Sequence, residues 1–120
     1  MREVTEQIAS WLMKEGASSF DEHSHAAWAL VTDYRKLEGW NREVRAQTME
    51  WVPGVLGWPD DEWIIGRDGF GNDYVVSKSG MYEGVRMYDH EVMQFEPYQP
   101  SLRAYVDHCL EIERSARPGL

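Results

Sequence analysis

Trp63-Ile64-Ile65-Gly66-Arg67-Asp68-Gly69-Phe70-Gly71-Asn72-Asp73-Tyr74-Val75-Val76 is the stretch on which the fold turns. Two short apolar runs, Trp63–Ile65 and Tyr74–Val76, flank a polar, glycine-rich segment. Aromatic and β-branched runs bounded by Gly, Asp and Asn read as strands joined by a tight connection. Gly66, Gly69 and Gly71 are free to take positive φ, and Asn72 tolerates it better than most residues. The spacing predicts a β-hairpin with a kinked or bulged loop. Upstream the pattern is helical; downstream it gives more sheet and a closing helix.

Working outward, strands are predicted at 62–67, 73–78 and 81–89, with Lys78-Ser79-Gly80 as a turn and a bulge near Gly84, where the alternation slips. Val92–Phe95 adds a short strand, and Pro97 and Pro100 mark a loop. Ser101 caps a last helix whose inner face is Leu102, Val106, Cys109 and Leu110; it ends near Ala116. Towards the N-terminus, Val4, Ile8, Trp11 and Leu12 form one face of a helix over 2–15, stopped by Gly16. Ser19-Phe20-Asp21-Glu22 fits a capping box. It predicts a second helix running to about Lys36, with Ala27, Leu30, Val31 and Tyr34 inward and Gly39 as its stop. Between 40 and 58 the pattern is weak. Asn41–Met49 reads as a short helix or an irregular approach, and Pro53-Gly54 and Trp58-Pro59 break regular structure. The tryptophans at 51, 58 and 63 are expected to pack over one end of the core or to form a partly exposed aromatic patch.

A chain of 120 residues is expected to be one domain. Twelve Lys and Arg against 21 Asp and Glu give a net charge of −9. That argues against nucleic acid as a direct ligand, which needs a basic face. It suits a basic partner, or solubility alone. Six Trp, six Tyr and three Phe are many rings for this length, and some are expected at an interface. The single Cys109 cannot form an internal disulfide and reads as a small buried hydrophobe. The charged N-terminus lacks a signal-peptide pattern, and no apolar run approaches the roughly 20 residues of a membrane span. A cytoplasmic protein is expected.

Chemistry-bearing groups are scattered. Gly69-x-Gly71-x-Asp73-x-Val75 matches one unit of a calcium-binding nonapeptide repeat, but such sites need stacked copies. The simpler reading has Asp68 bonding the N–H groups of its own turn. On a strand, Asp89 and Glu91 point one way and His90 the other, so they are a poor metal set. His90 is expected to pack or hydrogen-bond at the strand end while Asp89 ties the neighbouring turn. His23-Ser24-His25 is a poor helical chelate, and His108 reads as an exposed helix residue. No metal or cofactor is expected. Asp60, Asp61 and Glu62, then Asp68 and Asp73, then Asp89 and Glu91 form an acidic series. In a meander these loops could share one end of the sheet. With Trp58, Tyr74, Tyr82 and Tyr88 they would make an acidic, aromatic docking face.

Ile65-Gly66-Arg67-Asp68-Gly69-Phe70-Gly71-Asn72-Asp73-Tyr74, followed by Gly84-Val85-Arg86-Met87-Tyr88-Asp89-His90-Glu91, resembles the SUKH superfamily. That family carries an I-G-x-D-G-x-G turn between strands and a V-x-x-Y/W-D-H-[DE] strand end. The likeness covers about residues 50–116; the family's N-terminal Leu-Pro stretch is absent. It implies an α+β fold: a twisted, mostly antiparallel sheet of about four to five strands, with N-terminal helices and a C-terminal helix packed against it. Gly66, Asp68, Gly69, Gly71, Asp89 and His90 would be its structural motif. The family includes fungal cell-wall regulators and bacterial immunity proteins that neutralise secreted toxins. The resemblance therefore implies a non-enzymatic immunity protein whose partner is a basic cognate toxin, such as a nuclease. An adaptor without a toxin, or an enzyme using Asp68, Asp73, Asp89 and His90, are the alternatives.

Overall fold

The computed structural model describes residues 1–15, 28–30 and 32–115. Among these, three helices and seven strands follow in the order α1 (Arg2–Lys14), β1 (Trp28–Leu30), α2 (Tyr34–Arg45), β2 (Glu50–Val52), β3 (Val55–Leu56), β4 (Glu62–Asp68), β5 (Asp73–Ser77), β6 (Val85–Asp89), β7 (Gln94–Gln99) and α3 (Leu102–Ser115). The fold is α+β. Five strands form one sheet in the order β1-β4-β5-β6-β7, with every pairing antiparallel, and β2 and β3 form a separate hairpin.

Side-chain alternation along the strands sorts the core onto two faces. Ile65, Tyr74 and Val85 join Ile8 and Leu12 of α1, Leu37 of α2 and Tyr105, Val106, Cys109 and Leu110 of α3. Ile64, Val75 and Tyr88 join Val44 and Trp58, with Trp40, Trp51 and Phe95 packed against them. Adjacent residues 64 and 65, and 74 and 75, serve opposite faces, which is why these strands read as unbroken apolar runs. The expectation that the tryptophans cover the core holds on the second face. Trp58 is buried and meets Trp51, Tyr88 and Phe95 edge-on at centroid distances of 5.1–5.3 Å.

Helix α1, strands β4 and β5 and helix α3 stand where the pattern put them, β6 begins only at Val85 and not at 81, and the Ser101 hydroxyl accepts the Ala104 N–H at 3.0 Å as the expected cap. The bulge near Gly84 is present: pairing slips between Val85 and Arg86. Gly84 takes φ 83°, and a Cβ there would stand 2.3 Å from the Gln99 carbonyl oxygen.

The second helix differs. Residues 28–30 form an edge strand, not a helix, and α2 begins at Tyr34. Asp33 is its cap, accepting the Arg35 N–H at 2.9 Å. The helix runs through Gly39, which meets nothing a Cβ would touch. Its buried stripe is Leu37, Asn41 and Val44. The proposed capping box at 19–22, the Gly16 stop and His23–His25 lie outside the described residues. Pro97 is not in a loop. It sits within β7, the sheet's edge strand, where a missing N–H is tolerated. Pro53-Gly54 is the turn of the β2–β3 hairpin, with Gly54 at φ 85°.

Asn41 locks α2 to the sheet. Its Nδ2 donates to the Ile64 carbonyl at 3.1 Å, and its Oδ1 accepts the Ile64 N–H at 2.9 Å. Strand β1 pairs with residues 66–68 only, so Ile64 lies beyond its reach. A single buried amide supplies there the donor and acceptor that a neighbouring strand would otherwise give. Arg45, one turn on, donates to the carbonyls of Asp60 (3.0 Å) and Glu62 (3.1 Å) and draws the segment before β4 against the helix.

Candidate functional site

The register of the sheet decides which of the acidic loops meet. Arg67 pairs with Asp73, and Asp73 pairs with Tyr88. The β4–β5 turn and the β6–β7 turn therefore lie side by side at one end of the sheet. Glu62 pairs with Ser77, which places Asp60, Asp61 and Glu62 at the other end. The expectation that three acidic loops share one pole is corrected to two.

Asp68 organises the β4–β5 turn. Its Oδ1 accepts the backbone N–H of Phe70 at 2.8 Å and of Asn72 at 3.1 Å. Its Oδ2 accepts the Asn72 amide at 3.3 Å and the Tyr74 hydroxyl at 2.8 Å. One carboxylate thus holds four donors, as an acceptor-only group with two oxygens can. Gly71 takes φ 91°, and a Cβ on it would touch the His90 ring at 3.4 Å. Gly66 is not in the turn; it lies within β4 at the shift in pairing with β5. Gly69 is exposed in the turn.

Asn72 joins this turn to the next. Its Oδ1 accepts both the His90 backbone N–H (3.3 Å) and the His90 Nδ1–H (2.8 Å). Asp89 accepts the Glu91 N–H at 2.9 Å, tying the β6–β7 turn as the sequence suggested. Asp73 pairs with Arg67 at 3.1 Å. Its burial outweighs the Arg67 cation and leaves its carboxyl above the usual range. The acids and the imidazole proposed for an enzyme are each engaged in holding the turns. Among the described residues no group of three or more His, Cys, Asp or Glu is placed to hold a metal ion.

The aromatic part of the expected face is corrected further. Trp58, Tyr74 and Tyr88 are 4%, 2% and 2% exposed, so they are core residues and not anchors for a partner. Tyr74 and Tyr88 lie in strands of a sheet covered on both faces, and Trp58 lies in the segment before β4 that helps cover one of them. Tyr82 stands at the opposite end with Asp60 and Asp61. Its hydroxyl donates to Glu62 at 2.5 Å, and the Arg86 guanidinium lies 3.8 Å over its ring. Asp61 accepts the Ser77 hydroxyl and the Ser79 N–H, and the Ser77 bond is the main reason its carboxyl sits below the usual range. Asp61 is a turn tie, like Asp68. An open cleft of about 410 Å³ is lined among others by Tyr82, Arg86, Pro97 and Tyr98.

What sequence reasoning missed is Phe70, exposed at 76%, and Val92, exposed at 50%. They project from the two neighbouring turns beside Asp89 and Glu91. The signal was present: Phe70 is the sole apolar residue between Ile65 and Tyr74. A large ring inside a polar, glycine-punctuated turn has no strand neighbours to cover it. Cys109 is buried, and burial pushes its thiol up to about 12, as an unreactive core residue requires.

Comparison with protein families, curated proteins and solved structures finds no match for the chain. The likeness to the SUKH superfamily rests on the two motifs themselves. No helix among the described residues is long and apolar enough to cross a membrane.

Proposed function

We propose that this chain is a non-enzymatic binding protein of the immunity type, which holds a basic secreted toxin domain inactive through the paired-turn end of its sheet. The observation that carries the reading is Phe70, an exposed ring on a backbone pinned by Asp68. Exposed rings on preorganised backbone make good anchors, because little conformational freedom is lost when they are covered. Val92 widens the apolar centre, and Asp89 and Glu91 supply an acidic rim. The net charge of −9 favours encounter with a basic partner. The resemblance to the SUKH superfamily points the same way and supplies the toxin as the kind of partner.

Relative to the face expected from sequence, Phe70 and Val92 replace Trp58, Tyr74 and Tyr88 as anchors, and Asp60, Asp61 and Tyr82 leave the interface. The test is rescue. Cells expressing the protein encoded beside this one should survive when this chain is co-expressed and die when it carries Phe70→Asp. Survival with Phe70→Asp, or no protection by the wild type, contradicts the proposal. Protection without any physical complex would favour an adaptor role instead.

A further inference from the structure

Of the two described histidines, His108, expected to be exposed, is half-buried, while His90 is exposed just after β6. The His90 ring lies against the β4–β5 turn. A Cβ on Gly71 would stand 3.4 Å from its Cε1, 3.5 Å from Nδ1 and 3.6 Å from Nε2, so one face of the imidazole covers that glycine. Gly71 follows Phe70 in the chain, and Val92 is two residues beyond His90. The imidazole therefore stands where the turns that carry Phe70 and Val92 meet.

Groups of fixed polarity decide which ring nitrogen carries the hydrogen. A backbone N–H can only donate. The His90 N–H lies 3.3 Å from Asn72 Oδ1, so the oxygen of that amide faces His90. On the other side, Asn72 Nδ2 donates at 3.3 Å to Asp68 Oδ2, an atom of a carboxylate, which can only accept. Both neighbours fix the amide the same way round. His90 Nδ1 stands 2.8 Å from the same Asn72 oxygen and must donate to it. In the neutral ring Nδ1 then holds the hydrogen and Nε2 the lone pair. No hydrogen bond or ion pair among the described residues engages Nε2.

We infer that His90 is a specificity-determining residue of the paired-turn face: locked by Asn72 as the Nδ1–H tautomer, it presents Nε2 as a neutral hydrogen-bond acceptor to a donor on the partner. This deepens the proposed function and rests on it. Asp89 and Glu91 supply charge, which a cation can meet from many directions. An imidazole lone pair is a single directed acceptor, and a lysine, arginine or backbone N–H of a basic partner is the chemistry that fits it. The tautomer is set before the partner arrives, so the contact is preorganised.

Nitrogen NMR of the free, full-length chain at about pH 8.5, where an ordinary histidine is neutral, should show His90 with a protonated Nδ1 and an unprotonated Nε2. On addition of the purified, catalytically disabled protein encoded beside this one, the Nε2 signal should move upfield, as a bare imidazole nitrogen does on accepting a hydrogen bond. Two substitutions separate binding from support of the turn. His90→Asn places an amide N–H at the Nδ1 position and nothing at Nε2. It should leave the unfolding midpoint nearly unchanged and weaken the complex about ten-fold, the worth of one directed hydrogen bond. His90→Gln, whose longer amide brings an oxygen to the Nε2 position, should bind more tightly than His90→Asn; a purely structural His90 gives the reverse order. An Nε2–H tautomer in the free wild type overturns the inference. So does a His90→Asn complex as tight as the wild type's while Phe70→Asp abolishes binding, and either result leaves the proposed function standing. If the wild type forms no complex, the proposed function fails and the acceptor role with it.

Discussion

Replacing Asp68 by Ala removes the acceptor of four donors at once, and the structure allows the cost to be apportioned. Phe70 is exposed and Asn72 half-exposed, so the amides released there are rebound by water. Their loss amounts to the net worth of a hydrogen bond, about 0.5–1.5 kcal/mol each at most. Tyr74 is different. It is 2% exposed, and its hydroxyl would lose the acceptor that takes its proton, at a cost of about 1–3 kcal/mol. Allowing for relaxation of the turn, Asp68→Ala should destabilise the protein by about 2–4 kcal/mol. Urea unfolding reads this as a lower midpoint at unchanged slope. A double-mutant cycle isolates the buried part. With Tyr74→Phe already in place there is no hydroxyl to strand, so Asp68→Ala should cost about 1–2 kcal/mol less than in the wild type. If the two substitutions add to within about 0.5 kcal/mol, Asp68 and Tyr74 are not coupled and the description of the turn is wrong.

Three further outcomes follow from the same reasoning. Asn41→Leu keeps the volume but leaves the N–H and C=O of the fully buried Ile64 without their partners, and should cost about 2–4 kcal/mol in urea unfolding. Gly84→Ala combines a left-handed backbone with a Cβ driven into the Gln99 and Pro100 backbone, and should cost about 2–4 kcal/mol in the same assay. Glu62 is buried against Tyr82 and Arg86, and its burial raises its pKa above the ordinary 4.5. A raised carboxyl binds its proton more tightly in the folded state. Its contribution to stability is therefore greatest below the unfolded value and is lost as pH rises through the folded one. Glu62→Gln should accordingly gain stability relative to the wild type as pH is raised from about 4 to 7; a flat difference across that range would show that Glu62 is not buried as described.

Strands β4, β5 and β6 were legible because their apolar runs are long enough to exclude a loop and are bounded by glycine and acidic turns. Helices α1 and α3 were legible because each buries a stripe at helical spacing. The start of α2 was not. The series Leu30, Tyr34, Leu37, Asn41 and Val44 keeps helical spacing throughout, so periodicity alone could not say where the helix begins. Asp33, the actual cap, was overshadowed by the fuller pattern at 19–22. Gly39 was read as a stop, although a single glycine costs a helix only about 1 kcal/mol and α2 tolerates it. The role of Asn41 had no signature, since a buried amide that completes a strand edge looks in sequence like any surface residue.

The proposed docking face was half legible. The turn chemistry of Asp68, Gly71, Asp89 and His90 could be read from residue type, because Asp and Gly act locally. Which acidic loops meet depends on strand register, and an antiparallel hairpin sends the two ends of β4 to opposite poles. Ring exposure depends on whether both faces of the sheet are covered. Trp58 and Tyr88 were assigned to the surface because the cover over the second face, the β2–β3 hairpin with Trp51, lay in the least periodic part of the chain; Tyr74 is buried on the other face, among the helices.

The central claim is that a partner is held at the paired-turn pole through Phe70. Calorimetric titration of the purified chain with the purified, catalytically disabled protein encoded beside it tests this most directly. Phe70→Ala should leave the unfolding midpoint nearly unchanged, since the ring is 76% exposed, and weaken binding by at least about 30-fold, the loss of a roughly 2 kcal/mol anchor. Met81→Ala, an equally exposed residue in the β5–β6 connection at the other pole, should leave binding as it was. The absence of a complex, or a loss of affinity with Met81→Ala and none with Phe70→Ala, would contradict the account.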